Sequence, residues 1–167
     1  MNKIVLKNGL FGSLIVSTLL LSVTFYIKAN PEKEVSMFLG FAGMLLAFIF
    51  VVLGIKQQRD TNNGFISLGK AFLTGFWITL NISTVYVVVW LIIFYNFFPN
   101  FAEHYTDMAI AKASQDEVAK VTEEMNSFKE MYKSPIMVIL LTYMEILPLG
   151  IIFSLISALI LKKKQIN

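Results

Sequence analysis

Four long runs of uncharged residues constrain this chain more than any other feature of its sequence. They cover about residues 9–27, 35–55, 71–98 and 135–161, and Glu145 is the one charged residue within them. A bilayer has a hydrocarbon core about 30 Å thick, which an α-helix crosses with roughly 20 apolar residues. Each run meets or nearly meets that length. The sequence therefore predicts an all-α integral membrane protein with four transmembrane helices.

The composition favours a single membrane domain over residues 1–167. Hydrophobic residues make up 56% of the chain and charged residues 15%, whereas about 25% of an average soluble domain is charged. The basic residues lie at the ends of the runs, where lipid headgroups are, and not in one patch that would bind nucleic acid. The absence of cysteine excludes disulfides, thiolate catalysis and cysteine metal sites.

The distribution of charge predicts the orientation of the chain. Four spans place both termini on one side of the membrane, together with the loop 56–70. That side carries eight basic residues and one acid, and the other side carries six basic residues and nine acids. By the positive-inside rule the termini and the loop are cytoplasmic, and the segment 100–134 lies outside.

The segment 100–134 is polar but has a helical pattern. Five of its apolar residues recur at spacings of three and four: Val118, Val121, Met125, Phe128 and Tyr132. This spacing predicts an amphipathic helix, and a shorter helix with Phe101, Tyr105 and Met108 on one face is expected before it. The stripe is either an interface with a partner or another subunit, or it packs on its neighbouring helix or the membrane surface.

Small residues recur four apart in every run, as in Gly75, Thr79 and Ser83 of the third and Gly150 and Ser154 of the fourth. Helices in lipid associate by close backbone approach and hydrogen bonding, since the hydrophobic effect does not drive them together. These residues therefore predict the seams of a compact four-helix bundle.

Glu145 lies about 13 Å into the last run, near the middle of the membrane. A charge there costs at least about 2.5–3.5 kcal/mol, so the carboxyl is expected to be neutral or hydrogen-bonded. Asn81 reaches a similar depth in the third run, Thr84 shares its face, and Thr142 and Pro148 flank the acid. Together these five residues predict an intramembrane polar layer.

Three interpretations of Glu145 remain open. It is a proton- or ion-responsive group, or a protonated carboxyl that holds the last helix against Asn81. However, helical geometry directs both side chains away from the small-residue seams of their own helices. The third interpretation is therefore that Glu145 faces a second subunit.

The cytoplasmic side carries further candidate residues. Arg59 and Asp60 either hold the loop to Lys70 or to the helix ends, or are simply solvated beside the headgroups. Three basic residues follow the last run: Lys162, Lys163 and Lys164. They are expected to fix the topology and to bind anionic headgroups.

The chain has none of the common catalytic or nucleotide-binding motifs. His104 lies between Glu103 and Asp107, but one imidazole among solvated acids is interpreted as a solvated surface and not as a metal site. We therefore expect no catalytic residues, no cofactor, no metal and no nucleic-acid partner.

Two regions carry a resemblance to a known family. The first contains GIK at 54–56, the pair Arg59-Asp60 and GFISLGKAF at 64–72, and the second contains EILPLG at 145–150 and SLISALILK at 154–162. They resemble the DUF4199 family of four-span membrane proteins, mainly from Bacteroidota, and the similarity extends over essentially the whole chain. The resemblance implies a bacterial inner-membrane protein of unknown function, and the family has no assigned catalytic residues to carry over.

The leading hypothesis is a non-enzymatic accessory or scaffold protein that assembles through helix packing and its outer helical segment. Its partners would be the bilayer and either further copies of the chain or another membrane protein. The alternative is a small proton- or ion-coupled transporter or channel that uses Glu145. A membrane-embedded enzyme is the second alternative.

Overall fold

The computed structural model describes residues 2–30 and 37–163, which form six α-helices. In chain order these are α1 (Lys3–Ala29), α2 (Met37–Asp60), α3 (Leu68–Phe97), α4 (Phe101–Lys112), α5 (Val118–Tyr132) and α6 (Pro135–Leu161). Of these, α1, α2, α3 and α6 are long and apolar enough to cross a membrane. The prediction of an all-α fold with four such helices is confirmed. The first two residues of the second predicted run, 35 and 36, lie outside the described residues.

Polar side chains and one glycine explain where several helices begin and end. The Asn2 side chain accepts a hydrogen bond from the amide of Ile4 at 3.1 Å, and Ser67 accepts one from the amide of Lys70 at 3.4 Å. These caps give partners to amides that have none within α1 and α3. After α2 the chain turns through Gly64, whose φ of 82° is open to glycine at little cost.

The central helix of the bundle is α3, which packs against α6 and α1, while α2 contacts all three. Small residues allow this close packing. A Cβ added to Gly150 of α6 would lie 2.3 Å from Thr79 Cγ2 and 2.7 Å from the Phe48 ring. A Cβ added to Gly12 of α1 would lie 2.4 Å from Ile82 Cδ1. The small residues of α3 and α6 therefore line a helix interface, as the sequence predicts.

The core of the bundle is built largely from one face of α2. Five of its residues are almost fully buried and recur at helical spacing: Met44, Ala47, Phe48, Val51 and Ile55. The Phe48 ring lies 5.8 Å from the Phe153 ring of α6, measured between centroids. Outward-facing residues such as Leu14 and Ile160 are 63% and 74% exposed, as expected for helices surrounded by lipid.

Helices α4 and α5 form a hairpin between α3 and α6, at what we call the hairpin end of the bundle. The apolar stripe of α5 packs on α4 and on the end of α3. Ring centroids are 5.3 Å apart for Tyr105 and Phe128, 5.6 Å for Phe101 and Tyr132, and 5.7 Å for Phe94 and Tyr132. Phe128 and Tyr132 of the stripe thus pack on neighbouring helices, while the stripe as a whole is half-buried.

The opposite end of the bundle holds the start of α1 and the last residue of α6, and we call it the terminal end. Here the loop between α2 and α3 pairs with the chain after α6. The amides of Ile66 and Lys163 each donate to the other's carbonyl oxygen, at 3.0 Å in both directions. This single antiparallel bridge, with Ile66 buried beneath it, fixes the loop to the last transmembrane helix.

Candidate functional site

Glu145 lies on α6, ten residues after Pro135 and thus about 15 Å along the helix. The residue as a whole is exposed on the surface of the bundle. Its Oε1 atom lies 3.5 Å from the hydroxyl of Tyr86 on α3, at the outer limit of a hydrogen bond. Tyr86 is buried, so its hydroxyl reaches the acid from within the α3–α6 interface. Glu145 therefore occupies the edge of that interface.

A second polar contact joins the same two helices. The Tyr143 hydroxyl donates to Thr84 Oγ1 at 2.9 Å, and Thr84 donates to the carbonyl oxygen of Leu80 at 2.7 Å. Thr84 is exposed, whereas Thr142 is buried and donates to its own helix at the Val138 carbonyl. The surface of α3 and α6 thus presents hydroxyl groups as well as the carboxyl, at a depth where lipid offers no hydrogen bonds.

Asn81 occupies another face of α3. Its Cβ would lie 2.8 Å from a Cβ added to Gly9, so it packs against α1. Its side-chain amide donates to the carbonyl oxygen of Trp77 at 2.8 Å. Thr79, two residues earlier and about 200° around the helix, instead donates to the Gly150 carbonyl of α6. The structure therefore places Asn81 on the α1 side of α3 and Glu145 on the α6 side, and does not bring the two together.

Pro148 lies inside α6, three residues beyond Glu145. It has no amide hydrogen to donate to the carbonyl of Met144. The helix nevertheless continues from Pro135 to Leu161. Met144 is 72% exposed, so the acceptor left by the proline lies on the outer surface beside the acid.

Tyr86 and Tyr143 are functional candidates that the sequence analysis does not identify, because tyrosine fits the apolar pattern of a membrane-spanning run through its ring. A usable signal was present for Tyr86. It lies seven residues after Thr79, or about two helical turns, and so shares the face of the small-residue seam. A tyrosine on such a seam directs a hydroxyl into a helix interface.

Tyr132, at the end of α5, links the hairpin to this site. Its pKa is raised to about 12, first by burial and then by the nearby negative charges of Glu145 and Tyr105. It also interacts electrostatically with Tyr86. The sequence placed Tyr132 in the apolar stripe of α5, and its ring does pack there, while its hydroxyl lies within electrostatic range of the carboxyl on α6.

The structure places Arg59 and Asp60 in the last turn of α2, where they pair with each other. Nε and Nη2 of Arg59 each lie 3.2 Å from Asp60 Oδ1, and the Asp60 side chain is about half exposed at 53%. Lys70 is exposed at the start of α3. The loop between α2 and α3 is joined to the chain after α6 by the bridge of Ile66 and Lys163. Exposed pairs such as Arg59–Asp60 typically contribute only about 0.2–1 kcal/mol.

The basic residues after α6 lie beside this loop. Lys162 and Lys163 are exposed, and the Nζ of Lys163 lies 5.8 Å from the centroid of the Phe65 ring. Lys164 lies outside the described residues. The two described lysines therefore carry positive charge at the terminal end.

A cluster of side-chain amides joins α1 to α2 near the terminal end. Asn8, which is only 2% exposed, donates to Gln57 Oε1 at 2.9 Å and to the Ile4 carbonyl oxygen at 2.8 Å. Asn2 also donates to Gln58. The sequence does not predict this cluster, because its members precede or follow the uncharged runs.

His104 is exposed on α4. Within residues 2–30 and 37–163, no group of three or more His, Cys, Asp or Glu side chains is arranged to hold a metal ion. An open groove of about 880 Å³ on the hairpin is lined by polar and charged residues that include Glu103, Glu123 and Lys133. It lacks the enclosed, mostly apolar form of a typical small-molecule pocket.

A family model described as "Protein of unknown function (DUF4199)" matches residues 7–163, which is nearly the whole chain. No curated protein and no solved structure has significant similarity to it. The comparisons therefore assign no catalytic or ligand-binding residues to this sequence.

Proposed function

The chain belongs to the DUF4199 family, and we propose that it is a non-enzymatic membrane accessory protein that binds a second membrane-spanning chain. The surface of α3 and α6 around Glu145 would form the interface. The observation that carries this proposal is the exposure of Glu145 at membrane depth, with a contact to Tyr86 at 3.5 Å. A carboxyl facing lipid is costly, and a partner that donates hydrogen bonds would remove that cost.

The neighbouring side chains suit a helix–helix interface. Thr84 and Tyr143 offer hydroxyls, and Met144 and Leu140 are 72% and 51% exposed. Methionine adapts its shape to an irregular partner, and small or hydroxyl-bearing residues allow hydrogen bonds across membrane helices. Phe128 and Tyr132 of the α5 stripe pack against α4 and the end of α3, and the stripe as a whole is half-buried. The outer segment would therefore contribute to assembly through its position beside the α3–α6 surface.

Photo-crosslinking in native membranes tests the proposal. A photoreactive phenylalanine derivative at position 144 is expected to capture a membrane-spanning chain, either a second copy or a different protein. The same residue at position 160 is the matched control, since Ile160 is equally exposed on α6 but lies near the terminal end. Capture of lipid alone at both positions would refute the interface.

The substitution Glu145→Gln distinguishes this proposal from its main alternative, a proton- or ion-coupled transporter. Tyr86 and Tyr132 favour that alternative, because the Tyr86 hydroxyl contacts Glu145 and the Tyr132 hydroxyl of the hairpin interacts with it electrostatically. Glutamine keeps hydrogen bonding but does not titrate. An accessory protein is expected to keep its crosslink at position 144 and to show no flux in liposomes. A pH-dependent flux that E145Q abolishes, with crosslinking intact, would support transport.

The enzyme alternative has the least support. Catalysis of group transfer generally needs a nucleophile beside a general base, and the side-chain contact found at Glu145 is with one tyrosine hydroxyl, that of Tyr86. Incubating the purified protein with activated ester and phosphoester substrates tests it. Turnover that E145Q removes would favour an enzyme.

We also propose that the protein lies in a bacterial inner membrane with both termini in the cytoplasm. The excess of basic residues at the terminal end supports this orientation. The chain has no cysteine, so single cysteines report topology without background. A membrane-impermeant maleimide applied to intact spheroplasts is expected to label S114C on the hairpin and to spare T61C in the loop. The reverse pattern would invert the orientation.

A further inference from the structure

A shallow open groove of about 620 Å³ lies on the outer face of α1 at the terminal end, formed between side chains of this one helix, and its lining is almost entirely apolar apart from two lysines. Six residues line it: Lys3, Leu6, Lys7, Leu10, Phe11 and Leu14. The wall is held in place because the Phe11 ring stacks on Phe50 of α2, with centroids 5.7 Å apart. Leu10 and Leu14 are 61% and 63% exposed, so the groove opens outward.

The charges at this groove are uncompensated. Lys3 and Lys7 lie one helical turn apart and are both exposed. Asp60 is the one acidic residue in the described parts of the terminal end, and it pairs with Arg59. The two ammonium groups therefore select an anionic ligand, and the leucine side chains select an apolar one.

The dimensions of the groove match one leaflet of a bilayer. Eleven residues separate Lys3 from Leu14, which corresponds to a rise of about 16 Å along α1. Half of a hydrocarbon core about 30 Å thick is about 15 Å. Lys3 thus lies at headgroup level when Leu14 lies near the middle of the membrane, and Lys7, about 6 Å deeper, reaches that level with its long side chain.

We propose that this groove binds one anionic phospholipid, with its phosphate held by Lys3 and Lys7 and an acyl chain along Leu6, Leu10 and Leu14. The site is on α1, whereas Glu145 is on α6, so it does not depend on the proposed assembly. It also differs from headgroup contacts of Lys162 and Lys163, which follow α6 and not α1. The protein would keep this lipid when extracted from the membrane.

Native mass spectrometry of the full chain in a neutral detergent tests the site. Phosphatidylglycerol is expected to bind more tightly than phosphatidylcholine with the same acyl chains. K3Q/K7Q is expected to weaken the first phosphatidylglycerol by about 30-fold, because each lysine near an anionic headgroup contributes a factor of about five. The helical circular dichroism of K3Q/K7Q, compared with that of the native protein, confirms that the variant is folded.

The matched control is K162Q/K163Q, which removes the same charge from the same end of the bundle. It is expected to change the affinity by no more than about twofold. Equal weakening by both double variants would show diffuse charge attraction and would overturn the site. Glycerol phosphate, which carries the phosphate without acyl chains, is expected not to displace the lipid. Displacement by it would overturn the role of the leucine-lined groove.

Discussion

The Thr79 and Ser154 hydroxyls lie 3.0 Å apart in the buried interface of α3 and α6, and both also reach the carbonyl oxygen of Gly150. Thr79 donates to that oxygen at 3.1 Å and Ser154 at 2.8 Å. The Gly150 carbonyl oxygen thus accepts hydrogen bonds from side chains of both helices. The arrangement requires close contact, and Gly150 permits it because a side chain there would meet Thr79 and Phe48.

We expect Gly150→Ala to destabilise the bundle by about 1–3 kcal/mol, the usual range for overpacking. The added Cβ would lie 2.3 Å from Thr79 Cγ2, so α3 and α6 would have to separate. Thermal unfolding in detergent measures the effect. Gly69→Ala is the control, since nothing lies within 4 Å of a Cβ at that position. Equal unfolding temperatures for the two variants would contradict this account of the interface.

The burial of Tyr132 predicts how stability depends on alkaline pH. Its folded pKa is about 12, and an unfolded tyrosine titrates near 10. Between these values the folded state binds the proton more tightly, so the stabilisation present below about pH 10 is lost as the pH rises through about 12. We expect thermal stability to fall less steeply over this range in Y132F. Y95F is the control because Tyr95 is 52% exposed, and it should follow the native curve.

The bridge between Ile66 and Lys163 can be tested without altering the helices. Lys163→Pro removes the amide that donates to Ile66, and the extended backbone of Lys162 before it is compatible with proline. We expect faster hydrogen exchange at the Ile66 amide and faster proteolysis of the loop. Lys163→Ala keeps the backbone donor and should match the native protein. Loop protection that survives in the proline variant would argue against the bridge as its anchor.

The sequence predicts the four spanning helices well because lipid leaves the backbone few choices. Each peptide group must find its partner within the chain, so a long uncharged run crosses as a helix. The seams are predicted for a related reason, as only small residues such as Gly150 allow close backbones. The apolar stripe of α5 is also predicted, since apolar residues at spacings of three and four define one face of a helix.

The contacts of the polar site around Glu145 could not be predicted from the sequence in the same way. Periodicity gives the angle between residues on one helix, but it does not say which neighbour each face meets. Because α3 packs against both α1 and α6, Asn81 and Glu145 reach similar depths on opposite sides of it. Tyr86 is hard to identify as a polar residue from the sequence, because its ring fits the apolar pattern of the third run. The pairing of Ile66 with Lys163 is made by backbone atoms and leaves no side-chain signature.

A double-mutant cycle tests the amide contact between α1 and α2. Asn8 is buried and donates to Gln57 at 2.9 Å, whereas Gln57 itself is exposed and has water as an alternative partner. We therefore expect a coupling energy near the low end of about 0.5–1.5 kcal/mol for Asn8→Ala with Gln57→Ala. Reversible unfolding in mixed detergent micelles supplies the free energies. Asn8→Ala combined with Lys56→Ala should be additive, since the exposed Lys56 is not among the partners of Asn8. Additivity in the Gln57 cycle as well would mean that the contact contributes nothing beyond the packing of Asn8.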